Sequence, residues 1–525
     1  MRHSGKIGLG AALVATFVAG GFIIPTVQQE AGPRLFNQVF TLVEDRFVDS
    51  LDTSAMYDKA ARGLVEELQD PYADLYDPDQ LKEFAVAAEG RYAGVGMLVE
   101  DQNGWAVVNK VFPNTPAAEG GIQEGDKIVS LDGQSTSGWS LTKVTTNLKG
   151  PEGTKVTATF QRPGVVEPIT VNFTRRLIHI PAVPFTSMLD NGIGYIPLQQ
   201  FSETAGQETE DAVRSLVQQG AKGIVLDMRG NGGGLVNEAV RVANVFLPRG
   251  SQVATQRERG KAPLVYTARS ATLAPQTPLV VLVDSLSASA TEIVTGALQD
   301  HDRALVLGAR TFGKGLVQSV FPLDGGYALK MTTGKWYTPS GRSIHRERKM
   351  INGRLVAVDS TDTTTTAPRP TFRSDAGRTL YGDGGITPDV AVKLDTLSAA
   401  DQKLAKALAP KLREVYQTLT NYAWELKPQV KADFKVAPAW RDELYSRLKK
   451  AGVEITPADW AAAPTYVDRI LADRISRMAF GDAVTLRRQY PDDEQIVKAV
   501  DLLKRGGANQ KTLFAVAARG SSEKS

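Results

Sequence analysis

The sequence predicts an α+β protein of several domains, and three observations lead there. At 525 residues the chain exceeds a single compact domain, since domains run to roughly 100–200 residues each. Its texture shifts along the chain: helical spacing to about residue 90, short β-branched runs to about 176, strands alternating with helices to 345, and helical spacing again beyond 395. Hydrophobic residues at 42% and charged residues at 23% are ordinary globular values, so the chain has enough apolar surface to build cores.

The first stretch has its own character. Arg2 and Lys6 precede an uncharged run from Ile7 to Ile24, ended by Pro25. Positive residues before an apolar run describe a secretory signal peptide or an N-terminal anchor, so residues 1–26 are set apart as such. A small-x-small cleavage site is poorly formed, with Ala19-Gly20-Gly21 the best available, which favours an uncleaved anchor. The positive flank would then stay in the cytoplasm, with the rest outside it. The expected location is periplasmic or otherwise extracytoplasmic, held to the inner membrane by residues 7–24.

Residues 33–90 are expected to be helical. Leu35, Phe36, Val39, Phe40, Val43 and Phe47 recur at helical spacing, and Ala55–Leu68 repeats the pattern. Asp70-Pro71 and Asp77-Pro78 punctuate turns. Residues 91–176 carry the strand candidates Gly94–Glu100, Trp105–Val111, Asp126–Leu131 and Thr154–Phe160, with a short helix at Pro116. Residues 177–394 form an α/β layer: strands Gly223–Met228, Leu279–Asp284 and Ala304–Gly308 alternate with helices Val236–Leu247 and Ala288–Gln299. Within it, about 347–380 reads as a flexible insertion, because Thr361–Thr366 is followed by Pro368 and Pro370. Residues 395–525 are helical again, and 401–525 hold 22 Lys/Arg against 16 Asp/Glu, a mild imbalance expected of a solvated surface.

Composition narrows the chemistry. The chain has no cysteine and four histidines, which excludes disulfides, thiol nucleophiles and thiolate zinc sites and leaves few candidates for a histidine triad or cluster. No metal and no cofactor are expected. Net charge is +3, too small for a nucleic-acid footprint. A hydrolase written in this alphabet draws its nucleophile and base mostly from Ser, Thr, Lys, Asp and Glu.

Two motifs imitate nucleotide-binding loops. Arg229–Gly234 follows a strand and opens a helix, but a G-x-G-x-x-G match starting at Gly230 would need glycine where Leu235 stands. Gly308–Lys314 matches G-x-x-x-x-G-K. The next residue is Gly315 instead of Ser or Thr, and Leu316–Phe321 reads as a strand, not as a helix whose N-terminus could hold phosphate. A P-loop NTPase is therefore a remote alternative.

A serine and a lysine carry more weight. Asp284–Glu292 leaves a buried strand and enters a helix, a turn that exposes a side chain and aims free helical N–H groups at one spot. Ser289 there suits a nucleophile, although Ser289-x-x-Glu292 also fits a capping box without chemistry. Lys314, between two glycines, could serve as base if desolvated, or could be an ordinary surface lysine. Gln318 lies four residues on, sharing a face with Lys314 on a strand or a helix.

Together these pieces resemble the C-terminal processing peptidases, or tail-specific proteases, of bacteria and chloroplasts. The likeness covers most of 33–394 and rests on Asp227–Gly234, Ser287–Glu292, Arg310–Lys314 through Gln318, Tyr337–Ser343 and Gly385–Asp389. It implies a crotonase-like α/β protease core with an inserted PDZ domain over 91–176. It also implies a Ser–Lys dyad of Ser289 and Lys314 supported by Gln318, and an oxyanion hole from the backbone N–H groups of Gly234 and Ala290. Thr291 departs from the family's usual serine. Tyr92–Met97 matches the PDZ loop, so Gly94, Val95, Gly96 and Met97 would receive a substrate's C-terminal carboxylate, and the next strand would pair with the tail.

The resemblance thus implies an exported serine endopeptidase that acts through an acyl-enzyme on proteins with unstructured apolar C-termini. A regulatory or adaptor protein is a further expected partner, the membrane is reached through the N-terminal segment, and nucleic acid is not a partner. The alternative is a PDZ scaffold that is catalytically silent or activated by a partner. Residues 395–525 lie outside the likeness.

Overall fold

A computed structural model describes residues 24–102, 104–351, 354–357, 369–392, 397–507 and 509–522. The anchor segment 7–24, apart from Ile24, and the threonine run 361–366 lie outside the described residues. Among the described residues no helix is long and apolar enough to cross a membrane.

The N-terminal region is α1 (Ile24–Arg46), α2 (Thr53–Glu66), β1 (Asp74–Tyr76) and α3 (Pro78–Glu89). Asp77-Pro78 starts a helix: the Asp77 carboxylate accepts from the N–H groups of Asp79 and Gln80, and Pro78 occupies the first turn, where a missing N–H costs nothing.

The β-rich module comprises β2 (Arg91–Gly94), β3 (Met97–Gln102), β4 (Trp105–Val111), α4 (Pro116–Glu119), β5 (Lys127–Leu131), β6 (Gln134–Ser135), α5 (Leu141–Leu148), β7 (Lys155–Gln161), β8 (Ile169–Thr174) and β9 (Arg176–His179). Strands β3-β4-β5-β7-β8 make one antiparallel sheet, with β6 on β5. Along β7 the alternate residues Val156, Ala158 and Phe160 are buried, the period-two pattern of a sheet with one covered face. Strands β2 and β9 pair antiparallel outside that sheet, so the chain enters and leaves the module side by side.

The α/β core runs through β10 (Ser187–Leu189), β11 (Ile193–Pro197), α6 (Ala205–Gln218), β12 (Gly223–Asp227), α7 (Val236–Phe246), β13 (Gln252–Glu258), β14 (Leu264–Thr267), β15 (Leu279–Val283), α8 (Ala290–Asp300), β16 (Leu305–Gly308), β17 (Leu316–Pro322) and β18 (Ala328–Tyr337). Two hairpins follow, β19 (Arg348–Ile351) with β20 (Arg354–Ala357) and β21 (Thr371–Arg373) with β22 (Thr379–Tyr381), then β23 (Val390–Ala391). The described parts of 347–380, read from sequence as a flexible insertion, are these hairpins. The central sheet has the order β10-β11-β12-β15-β16-β23 and is parallel except at β10. A second sheet, β1-β18-β13-β14 with β17 on β18, ties the N-terminal region to the core.

The last region holds α9 (Ala399–Leu408), α10 (Leu412–Leu426), α11 (Pro438–Lys450), α12 (Pro457–Ala462), α13 (Pro464–Phe480), α14 (Asp482–Gln489), α15 (Glu494–Gly506) and α16 (Gln510–Ser522). Strands β12 and β15 are buried throughout, as parallel strands covered on both faces are. Helices α6–α8 cover one face, against Ile224, Leu226, Val281 and Val306. Helices α15 and α16 cover the other, where Ile496, Val500, Leu503 and Leu513 meet Val225, Val280, Leu282, Leu305 and Leu307.

Candidate active site

Three loops converge beyond the carboxyl ends of neighbouring parallel strands, where open α/β sheets place their ligands. One follows β12 (Met228–Leu235), one follows β15 (Asp284–Ser289) and one follows β16 (Ala309–Gly315).

Ser289 closes the second loop and stands immediately before α8. Its φ of 57° and ψ of −115° are rarely adopted by a residue with a side chain, and such strain at a strand-to-helix turn thrusts the side chain outward. The capping alternative is half realised. Glu292 Oε2 accepts from Ser289 N–H at 2.9 Å, while the Glu292 N–H donates to the Ser289 carbonyl at 2.8 Å. Ser287 is instead fully buried, and its hydroxyl bonds to the Met228 carbonyl at 2.9 Å and to Asp284 at 3.1 Å. Ser287 is thus spent on the fold, whereas Ser289 is half-buried at the start of α8.

Glu292 does more than cap. Fully buried, its carboxylate also accepts from Thr311 Oγ1 at 2.5 Å, Gly313 N–H at 2.7 Å and Lys314 N–H at 2.8 Å. One side chain thus sets the serine loop and the lysine loop against each other. Burial pushes its carboxyl up, and these donors, which favour the ionised form, oppose that shift. Sequence reasoning saw Glu292 only as a cap, because the three other donors lie 19 to 22 residues further along the chain.

Lys314 is half-buried. Burial and the nearby positive charge of Lys330 hold its amine below the ordinary lysine range, against the opposing pull of Asp70 and Glu292. Its Nζ lies 4.5 Å from the centre of the Tyr72 ring, a cation–π contact. Among the described residues no hydrogen bond joins Nζ to Ser289 Oγ or to Gln318. The Gln318 amide donates instead to Thr332 Oγ1 at 3.3 Å, its cross-strand partner on β18. The residues after Lys314 form β17, so the loop lacks the helix that a P-loop requires.

In the first loop, Gly233 and Gly234 have φ of +102° and +146°. A Cβ on Gly233 would stand 2.8 Å from Ser289 Cβ and 2.9 Å from Ala290 N, and one on Gly234 would stand 2.4 Å from the Phe201 carbonyl oxygen. Only glycine fits either place. Phe201 N–H donates to the Gly233 carbonyl and Leu235 N–H to the Phe201 carbonyl, at 3.1 and 2.8 Å. Among the described residues no acceptor is bonded to the N–H of Gly234 or of Ala290. Thr291, the departure from the family pattern, is buried and donates to the Asn231 carbonyl at 2.9 Å, tying this loop to the serine loop. Among the described residues no cluster of His, Asp and Glu could hold a metal ion.

The remaining motifs brace this arrangement. Arg342 is buried and donates to Asp300 at 2.6 Å and Gln299 at 2.7 Å, at the end of α8. Ile386 N–H donates to Thr311 Oγ1 at 2.7 Å. His301 is occupied by Asp375 and the Gln252 carbonyl, at 2.7 and 2.8 Å.

In the β-rich module, Gly94, Val95, Gly96 and Met97 join β2 to β3 and are buried. The Tyr92 ring folds back on them: a Cβ on Gly94 would meet it at 2.7 Å. Burial pushes the Tyr92 hydroxyl up to about 12, opposed by the backbone N–H groups of Met97 and Gly96. Met97, Val99, Leu141, Val144 and Leu148 bring apolar surface from β3 and α5 to the module's core.

These features define a serine-type peptidase carrying a PDZ domain. The profile of Peptidase family S41 matches residues 192–351, and that of the PDZ domain matches residues 107–162. The chain is 35% identical over 313 residues to a carboxy-terminal-processing protease of Bartonella bacilliformis, covering 59% of this chain and 71% of that one. It is 33% identical over 311 residues to the carboxy-terminal processing protease CtpA of Bacillus subtilis, covering 59% and 66%. Among solved structures, a photosystem II D1 C-terminal processing protease is 29% identical, with a TM-score of 0.35 over 62% of this chain and 92% of that one. The chain belongs to the carboxy-terminal processing proteases of peptidase family S41.

Proposed function

We propose that this chain is an exported endopeptidase, anchored by its N-terminal segment, that takes proteins by an apolar C-terminal tail and cleaves them with a Ser289–Lys314 dyad. The observation that carries the reading is the pair of backbone N–H groups, Gly234 and Ala290, bonded to no acceptor among the described residues and set beside Ser289. Donors held open next to a serine suit the oxyanion of acyl transfer.

In this reading the neutral Lys314 amine leaves the Tyr72 ring and takes the Ser289 hydroxyl proton as Oγ attacks the scissile carbonyl. The oxyanion is received by Gly234 and Ala290. The Lys314 ammonium then gives its proton to the leaving amine; neutral again, Lys314 draws a proton from the water that attacks the Ser289 ester and returns it to Ser289 Oγ as the acyl–oxygen bond breaks. Gln318 orients the amine once it has turned. The tail's carboxylate enters the Gly94–Met97 loop and its backbone extends the sheet along β3, with apolar residues toward α5.

The test offers the purified chain a reporter ending in an unstructured apolar tail, with a free or an amidated C-terminus, beside Ser289→Ala and Lys314→Ala. Cleavage of the free-carboxylate reporter alone, lost in both variants, is expected. Cleavage untouched by either substitution would sink the dyad, and tail binding without cleavage in all three proteins would favour a scaffold.

A further inference from the structure

We infer that Asp493, in the C-terminal helical region, is a positioning residue for the oxyanion loop and acts through Arg229. The inference rests on the peptidase reading above and adds to it a residue well outside the segment 192–351.

Arg229 opens the loop that ends at Gly234. Its guanidinium is gripped from two sides. Nε and Nη2 donate to Asp227, at the end of β12, with the Nη2 bond at 2.6 Å. Nη1 donates to both carboxylate oxygens of Asp493, at 2.9 and 3.1 Å, and to Gln495 Oε1 at 3.1 Å. Asp227 is fixed in turn by the Tyr195 hydroxyl at 2.7 Å. Burial disfavours the Arg229 charge, yet Asp227 and Asp493 hold its pKa above the ordinary arginine range.

The grip from the far side is rigid. Asp493 is the N-cap of α15, its Oδ1 accepting from the N–H groups of Gln495 and Ile496 at 3.0 Å each. Helix α15 is itself pinned to the second face of the central sheet. The loop is thus anchored to the strand it leaves and to the cap of a helix 264 residues further along the chain. Without Asp493 the partly buried guanidinium keeps its bonds to Asp227 and the single one to Gln495, and loses the charged, two-bonded part of its outer restraint. The loop beyond it, and the Gly234 N–H with it, are then less fixed when charge develops on the substrate oxygen. Displacements on the order of 1 Å in such a site cost about a hundredfold in rate.

A bare capping role and the positioning role predict opposite orders for two substitutions. Asp493→Ser keeps a good N-cap and cannot reach Arg229. Asp493→Glu caps less well and restores a carboxylate to Arg229. In the full chain, with the tail-bearing reporter, we expect Asp493→Ser to lower kcat by ~10- to 100-fold at unchanged KM. Asp493→Glu should recover most of that loss, and Asp493→Ser should add nothing in an Arg229→Ala background. Wild-type kcat in Asp493→Ser, a loss that Asp493→Glu does not recover, or a loss additive with Arg229→Ala would each overturn the inference. Turnover persisting in Ser289→Ala would instead overturn the peptidase reading on which it rests.

Discussion

The two halves of the C-terminal region look alike in sequence and do different work. Most of residues 399–489 form their own core, in which Leu404, Leu419, Leu444, Leu448, Val467 and Leu471 pack together, while Leu486 of α14 turns to the central-sheet cluster. Residues 494–522 have no such independence: the apolar faces of α15 and α16 are spent on the central sheet. The first half meets the PDZ domain, through Lys110–Asp482 at 3.0 Å, Asn109–Tyr416 at 3.1 Å and a close Asp101–Arg413 pair. The second half completes the fold of the peptidase core. Helical periodicity identifies a face to be buried and is silent about what buries it.

The sharpest way to break this comparison is deletion. Removing 494–522 bares Val225, Val280, Leu282, Leu305 and Leu307. At about 1.5–3 kcal/mol per large side chain, that loss rivals a whole domain's stability of about 5–15 kcal/mol. The truncated chain should not accumulate as soluble, protease-resistant protein. Replacing 399–489 by a short flexible linker should leave the central sheet covered and cleavage of the tail-bearing reporter detectable. Equal outcomes in solubility and limited proteolysis would erase the distinction.

A smaller effect is expected at Glu292. Glu292→Gln turns an NH2 group toward backbone N–H and hydroxyl donors, and should cost about 3 kcal/mol, read as a lower denaturant midpoint, with turnover lost alongside. A stable, fully active Glu292→Gln protein would show that the serine and lysine loops do not depend on that carboxylate. The smallest effect belongs to the bundle–PDZ contact. Lys110 and Asp482 are both partly exposed, at 37% and 21%, so Lys110→Ala should shift stability by less than about 1 kcal/mol. A larger shift in the unfolding curve would mean that the bundle supports the PDZ domain more than that contact implies.

The site was legible unevenly, for physical reasons. Ser289 and Lys314 stand out as candidates because a strand-to-helix turn and a glycine-flanked lysine are local patterns, although it is the family resemblance that pairs them. Gln318 shares the lysine's strand side by period, yet its amide pairs across the sheet with Thr332, since the register of β17 and β18 puts those residues opposite each other. Glu292 reads as a cap in any local window. Its further bonds to Thr311, Gly313 and Lys314 exist only once β16 lies beside β15. Asp493 and Tyr195 reach Arg229 and Asp227 across the sheet, a placement with no trace in sequence spacing. Asp77-Pro78, read as a turn, is the cap and first turn of α3, because Gln80 follows at the position that completes a capping box.

The most direct test of the dyad is the pH dependence of single-turnover cleavage, with chemistry limiting, in the wild type and in Lys314→Ala. Burial and Lys330 lower the Lys314 pKa, so the neutral amine gains population at lower pH than an ordinary lysine would allow. The rate should rise with pH and level off before the ordinary lysine range near about 10.4, and Lys314→Ala should lose the rising phase with the activity. A rate that stays flat from about pH 6 to 9, or one unchanged in Lys314→Ala, would contradict a lysine base.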